Sequence, residues 1–151
     1  ELYRGDAKRI QHFCKVHSYA KLIAETENVD KKSLFIIEAA ALTHDIGIHF
    51  CEEKYGNCNG RLQEQEGPAI AERLLKKLGF DQEVSDRVQY LIAHHHTYND
   101  IDAMDYQILV EADFLVNIME DSLTKEAALK AYHNIFKTAC GKTICREMFD
   151  I

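Results

Sequence analysis

Residues 34–45 read Leu-Phe-Ile-Ile-Glu-Ala-Ala-Ala-Leu-Thr-His-Asp, and this stretch decides the fold class of the chain. Its apolar side chains surround nearly the whole circumference of a helix, as they do in a central helix that is covered on all sides. Asp30 is a suitable N-cap for this helix, which we expect to end near Asp45. The polar pair His44-Asp45 therefore emerges from the most apolar helix that the sequence predicts.

Apolar residues at helical spacing continue on both sides of this stretch. Pro68 suits a first helical turn, Gly79 suits a helix end, and Asp81 and Thr124 suit N-caps. The predicted helices span about residues 5–27, 30–45, 68–78, 81–95, 105–119 and 124–137. The tail after Gly141 is expected to add a short turn or helix.

The helical pattern fails between Gly47 and Gln63, where Gly and Asn are frequent. We expect a long loop there, directly after His44-Asp45, at the mouth of any site that this pair forms. No segment alternates like a strand, and we find no repeat or linker. The predicted fold class is all-α, with one domain over residues 1–151.

The composition of the chain limits the classes of function that it can have. The formal net charge is −7 over 151 residues, which argues against binding to nucleic acid polymers or anionic membranes through bulk charge. The most apolar stretch, Leu34 to Thr43, is too short to cross a bilayer. The five cysteines are an odd number without a regular framework, so we expect reduced thiols, none of them a metal ligand, in a cytoplasmic protein.

Two further polar residues lie on apolar helices. His12 is next to the apolar stripe of the first helix, and Asp113 lies within the apolar run 108–116. Buried polar groups of this kind usually pair with one another or bind a metal. Imidazole and carboxylate together suit a divalent ion such as Mn, Fe, Co, Ni, Zn or Mg. We therefore predict one divalent metal ion, with His12, His44, Asp45 and Asp113 as its ligands.

These residues occur in an ordered pattern: Arg9-x-x-His12-x-x-Lys15-Val16, then residues 39–47 (Ala-Ala-Ala-Leu-Thr-His-Asp-Ile-Gly), then Glu111-Ala112-Asp113. The pattern resembles the HD superfamily of metal-dependent phosphohydrolases over about residues 9–117. The resemblance implies a helical bundle with the site between helices. It also implies that the two histidines and two aspartates are the metal ligands.

A metal ion on these ligands would lower the pKa of a bound water, which could then attack phosphorus. The predicted function is hydrolysis of a phosphomonoester or phosphodiester, with a nucleotide as the favoured substrate. Asp45 or Asp113 could orient the nucleophile, while Lys15 and Lys54 are weaker candidates for holding a phosphate. The predicted partner is thus a small phosphate ester, and a homodimer is compatible with the sequence.

The run His94-His95-His96 is a second concentration of imidazoles. Consecutive helical residues point in different directions, so at most two of them can enter one site. His95 continues the apolar stripe of its helix, and we predict that it points inwards and assists catalysis. His94 and His96 are better explained as a polar helix end.

The chain departs from the family pattern at two places. Ile48 follows His-Asp-Ile-Gly, where many two-metal members have Lys and others have Glu. Residues 63–67 read Gln-Glu-Gln-Glu-Gly, where members with several metals have a His before the Gly. Two alternatives stay open: a metal-stabilised sensing or scaffold domain without turnover, and a di-iron oxygenase, which the missing His disfavours.

Overall fold

The computed structural model describes residues 2–151, and every regular element within that range is a helix. The all-α prediction is thereby confirmed. The eight helices of this range are α1 Ala7–Thr26, α2 Lys31–Thr43, α3 Ile48–Tyr55, α4 Gly60–Lys77, α5 Gln82–Ile92, α6 Met104–Glu120, α7 Lys125–Asn134 and α8 Ala139–Phe149.

Side-chain caps mark where several helices begin. In five of them an oxygen of the residue before the helix accepts a hydrogen bond from a backbone N–H of the first turn, which otherwise has no partner. These caps are Asp6, Asp30, Asn59, Thr124 and Thr138. The sequence pattern predicted the caps at Asp30 and Thr124.

The core lies around α6, which is buried over most of its length. Helices α1 and α2 pack against it and against each other, and α8 contacts both α6 and α1. Helices α4 and α5 form a pair, which joins the core where α5 contacts α2. Val16, Ile37, Leu91 and Leu109 belong to the resulting hydrophobic cluster and have no solvent exposure. The site residues are carried by the helices that meet there.

One stretch of residues 2–151, Lys31–Tyr55, has the length and apolar composition of a membrane-spanning helix. In the fold, 61% of its most apolar window is buried inside the protein. A turn at residues 44–47 divides the stretch into α2 and α3. Burial of this extent is typical of a central core helix, which passes the same test of length and composition.

The long loop predicted over residues 47–63 is wrong. Helix α3 occupies Ile48–Tyr55 and ends at Gly56, which has a left-handed φ of 73°. The connection to α4 is then only residues 56–59. An eight-residue helix is too short to show a periodic pattern in the sequence, and it depends on tertiary packing for its stability. Cys51 provides that packing, since it is fully buried.

Helix α4 begins at Gly60 instead of near Pro68, which lies inside the helix. Proline cannot donate its helical hydrogen bond, so a helix start there was the simpler expectation. The extra turns are held by Glu64, whose Oε1 accepts from the His96 N–H and the Thr97 hydroxyl, each at 3.0 Å. Tertiary contacts therefore extend this helix beyond its sequence signal.

Glycines allow α4 to approach the turn after α2. A Cβ atom on Gly67 would lie 2.7 Å from Cγ2 of Ile92, and one on Gly47 would lie 3.1 Å from the Gly67 backbone nitrogen. Gly60 has the same role beside His96, whose ring would be 2.8 Å from an added Cβ. Small residues at these crossings bring α4 close to His44, Asp45 and the turn after α5.

Candidate metal centre

Four polar side chains from three parts of the chain meet in the interior. His12 lies on α1, His44 and Asp45 in the turn after α2, and Asp113 on α6. The Nε2 atoms of the two histidines are 3.2 Å apart. Oδ1 of Asp113 lies 3.3 Å from the first of these nitrogens and 3.5 Å from the second. Oδ2 of Asp45 is 3.7 and 3.6 Å from the same nitrogens.

Hydrogen bonds on the outer side of each ring fix which nitrogen faces the centre. Nδ1 of His44 donates to the Ala41 carbonyl at 2.9 Å, and Nδ1 of His12 donates to the Glu120 carboxylate at 3.0 Å. Carbonyl and carboxylate oxygens only accept, so Nδ1 carries the proton in both rings. In the neutral rings, Nε2 therefore presents a lone pair to the centre.

The carboxylate of Asp113 has one buried oxygen that no hydrogen bond satisfies. Within residues 2–151, its Oδ1 is the one buried side-chain oxygen or nitrogen without a hydrogen-bond partner. The residue is only 4% exposed, so solvent does not compensate. An unsatisfied buried carboxylate is costly unless a cation binds it.

The charges of the four groups depend on one another. Burial opposes a positive charge on His44, but the carboxylates of Asp45 and Asp113 outweigh it and raise the pKa of His44 to about 9. Burial opposes a positive charge on His12 as well, but the nearby carboxylate of Asp113 outweighs it and raises the pKa of His12. Burial favours the neutral form of Asp113, yet His12 and His44 hold its pKa far below the usual range. The carboxylates are thus arranged to stabilise a positive charge between them.

Asp45 joins this group to a second one. While its Oδ2 faces His12 and His44, its Oδ1 lies 3.3 Å from Nε2 of His95. His95 is 1% exposed and donates its Nδ1–H to the Ile92 carbonyl at 2.8 Å. The inward orientation predicted for His95 is therefore observed, although α5 ends at Ile92 and the ring projects from the following turn.

His96 lies close to the centre, whereas we expected it to be part of a polar helix end. Its ring, the ring of His95 and the carboxylate of Asp45 form a second group, whose ligand atoms all lie within 4.8 Å of one another. Residues 93–96 form a turn, so the angular steps of a helix do not separate their side chains. However, Nε2 of His96 is 2.9 Å from Oε1 of Gln63 and hydrogen-bonded to it. Burial, with the neighbouring His95, lowers the pKa of His96 to about 4.

Other candidates lie outside the centre. His94 donates to the Tyr90 carbonyl at 2.7 Å and stacks on its ring, so it belongs to a different surface. His17, on the same helix as His12, pairs with Glu38. Lys15 and Lys54 form ion pairs with Glu120 and Glu66. Neither lysine therefore presents an uncompensated charge to a phosphate.

All five cysteines are free thiols, and no disulfide joins them. Cys51 is buried on α3, and Cys58 lies near it in the connection to α4. Burial, reinforced by this contact, raises the pKa of Cys58 to about 12. Within residues 2–151, neither thiol belongs to a group of side chains that could hold a metal ion.

The sequence reasoning missed three residues around the centre. Glu120 contacts His12, Gln63 contacts His96, and the Tyr3 hydroxyl donates to the Asp45 carbonyl at 2.7 Å. For Glu120 a signal existed, since it follows Asp113 by seven residues and so lies on the same helical face. Gln63 and Tyr3 come close only through the packing of other helices.

This donor set can hold a divalent metal ion. Two imidazole nitrogens and two carboxylates converge, and the imidazoles are pre-oriented by hydrogen bonds on their outer side, as metal-ligating histidines usually are. The Asp113 oxygen without a hydrogen-bond partner points to the same cation position.

Comparison with known proteins agrees with this geometry. The HD domain family matches residues 9–139, which include all four residues of the centre and His95. No curated protein and no solved structure matches the chain. Because the family match covers most of the chain, the protein belongs to the HD superfamily of metal-dependent phosphohydrolases.

Proposed function

We propose that this domain hydrolyses a phosphomonoester or phosphodiester, with a nucleotide as the favoured substrate class, using one divalent ion held by His12, His44, Asp45 and Asp113. The observation that carries the proposal is the convergence of two Nε2 atoms and Asp113 Oδ1 within 3.5 Å. The family to which the chain belongs supports the same class of chemistry. When bound, a divalent ion lowers the pKa of a coordinated water and polarises a phosphoryl oxygen.

Asp45 has two functions in this proposal. Its Oδ2 faces the two imidazoles, and its Oδ1 faces His95 at 3.3 Å. A carboxylate in this position can accept a hydrogen bond from the attacking water and orient it. Its side chain is 15% exposed, more than those of His12, His44 and Asp113. Substrate is therefore expected to approach from the side of Asp45.

His95 is proposed to donate a hydrogen bond or proton to the departing oxygen. Its Nδ1–H is bound by the Ile92 carbonyl, which leaves Nε2 to exchange a proton at the Asp45 side. An imidazole nitrogen can hold or release a proton, as this function requires.

The five cysteines are free thiols. Free thiols suit a reducing compartment, and they support the cytoplasm as the proposed location of the protein.

A two-metal alternative, as in an HD-type di-iron oxygenase, has one observation in its favour. Asp45, His95 and His96 form a second group that could hold an ion. Against it, the Nε2 atom of His96 is hydrogen-bonded to Gln63. Oxygen consumption by the iron-loaded, reduced protein would support this alternative, and its absence alongside phosphate release would exclude it.

The experiment is a screen of the Mn²⁺-loaded chain against phosphomonoesters, phosphodiesters and nucleotides, with phosphate or nucleoside release as the readout. We expect metal-dependent turnover that Asp113→Ala abolishes. His17→Ala is the matched control, since His17 lies on the same helix but contacts Glu38. Stoichiometric metal without turnover of any ester would contradict the proposal and favour a sensing or scaffold domain.

A further inference from the structure

A carboxylate lies behind His12, on the side away from the centre. Glu120 follows Asp113 by two helical turns on α6, so both side chains project towards α1. Its Oε2 is 3.0 Å from Nδ1 of His12, and its Oε1 forms an ion pair with Nζ of Lys15. The Glu120 side chain is 13% exposed, so solvent screens these contacts only in part.

The acceptor of the His12 Nδ1–H lies on another helix, unlike the acceptors of His44 and His95. His44 and His95 stand in turns after helices and donate Nδ1–H to carbonyls three residues earlier. His12 lies within α1, and its Nδ1–H is directed at a side chain of another helix. That acceptor is Glu120 on α6, 108 residues later.

We propose that Glu120 is a positioning residue for the metal centre: it accepts the Nδ1–H of His12 and holds Nε2 of that ring towards Asp113. The inference rests on the proposed function, since it takes His12 as a metal ligand. A carboxylate behind a ligating imidazole fixes its tautomer and orientation and increases its basicity. Lys15 holds the carboxylate in place from the other side.

The first test is the affinity for Mn²⁺, measured from the free ion by electron paramagnetic resonance. We expect Glu120→Ala to weaken binding by about 10–100-fold. Glu120→Gln keeps a carbonyl acceptor and is expected to recover part of that loss. The matched control is Glu38→Ala, because Glu38 also pairs with a histidine and a lysine of α1, His17 and Lys21, each at 3.0 Å. That variant should bind Mn²⁺ like the wild type.

The second test separates positioning from general stability. In metal-free protein, at a pH where the ring is neutral, ¹⁵N NMR should find the His12 proton on Nδ1. In Glu120→Ala it should move at least partly to Nε2, an effect that a merely structural role of Glu120 would not produce. Should Glu120→Ala fail to fold, the same two measurements on Glu120→Gln decide the question.

The outcomes separate this inference from the proposed function. The role of Glu120 would be overturned if its variants kept the wild-type affinity for Mn²⁺ and an unchanged His12 tautomer while Asp113→Ala lost Mn²⁺ binding. The metal centre would remain intact in that case. Absence of Mn²⁺ binding by the wild-type chain would overturn the metal centre itself.

Discussion

The Nε2 atoms of His12 and His44 lie 3.2 Å apart, and each ring has its Nδ1–H bound to an oxygen on the far side. Two nitrogen lone pairs at this distance repel each other unless a cation lies beside them. Without metal, a proton can fill that position, in agreement with the raised pKa values of both histidines. A divalent ion would satisfy both lone pairs and the adjacent Asp113 oxygen at once.

We therefore predict one tightly bound divalent ion per chain, lost in Asp113→Ala. Removing a ligand should also remove the stabilisation that the ion adds to the folded state, so Asp45→Ala should unfold at a lower temperature than the metal-loaded wild type. Elemental analysis and thermal unfolding measure the two effects. Asp121→Ala, at the exposed end of α6, is the control. A metal-free protein after both chelator-free purification and reconstitution would contradict the prediction.

His95→Ala is expected to retain the metal and lose most turnover. A general acid contributes about 10²–10⁴-fold to the rate, and His95 lies beside Asp45 on the edge of the four-residue centre. Steady-state kinetics and metal content measure the effect. His94→Ala should keep both, because His94 faces Tyr90. Equal loss of metal in His95→Ala would assign this residue a ligand role instead.

Gln63→His is expected to raise the metal content from one ion per chain to two. The Gln63 side chain lies 2.9 Å from the His96 ring, so an imidazole there would add a ligand to the group formed by Asp45, His95 and His96. Elemental analysis after reconstitution gives the ratio. Gln65→His, on the exposed side of the same helix, should leave it unchanged. Two ions already present in the wild type would show that Gln63 does not limit the site.

Glu111→Ala is expected to destabilise the fold by roughly 3 kcal/mol, because it leaves buried donors without an acceptor. Glu111 has no solvent exposure. Its Oε1 accepts from the backbone N–H groups of Lys137 and Thr138 at 2.6 and 2.9 Å. Urea unfolding measures the loss. Glu126→Ala, an exposed residue of α7, should have little effect, and a similarly small effect for Glu111→Ala would contradict this role.

Asp6→Asn is expected to destabilise the protein at pH 7 but not near pH 2. The hydrogen bond from the Arg9 backbone, with that from His49, lowers the pKa of Asp6 from 3.8 to about 2. Because the pKa is lower in the folded state, the contribution of Asp6 is present above pH 3.8 and is lost as the pH falls through about 2. Urea unfolding at several pH values should show the gap between variant and wild type closing over this range.

The control for this pH dependence is Asp81→Asn. Asp81 precedes α5 in the same way, but its side chain makes no capping hydrogen bond. We expect a smaller effect of this substitution, without a gap that closes between pH 4 and pH 2. A constant difference between Asp6→Asn and the wild type down to pH 2 would contradict the assignment.

The sequence predicted those parts of the fold that depend on short-range patterns. Apolar spacing identified α1, α2 and α6, and the caps at Asp30 and Thr124 identified two helix starts. It also predicted that α7 continues through Lys137, which is wrong: the helix ends at Asn134, and α8 begins at Ala139. The break is stabilised by Glu111, which accepts from the backbone between the two helices. No local pattern could indicate an acceptor 26 residues away.

By itself, the sequence determined that the chain is helical and that His12, His44, Asp45 and Asp113 are polar residues on apolar helices. Both properties follow from side-chain type and helical periodicity, which act over a few residues. Only the tertiary structure decided that Glu120 contacts His12, that Gln63 contacts His96, and that α3 replaces the expected loop. These outcomes depend on the distance and rotation between packed helices, which are set by the core as a whole and not by neighbours in the chain.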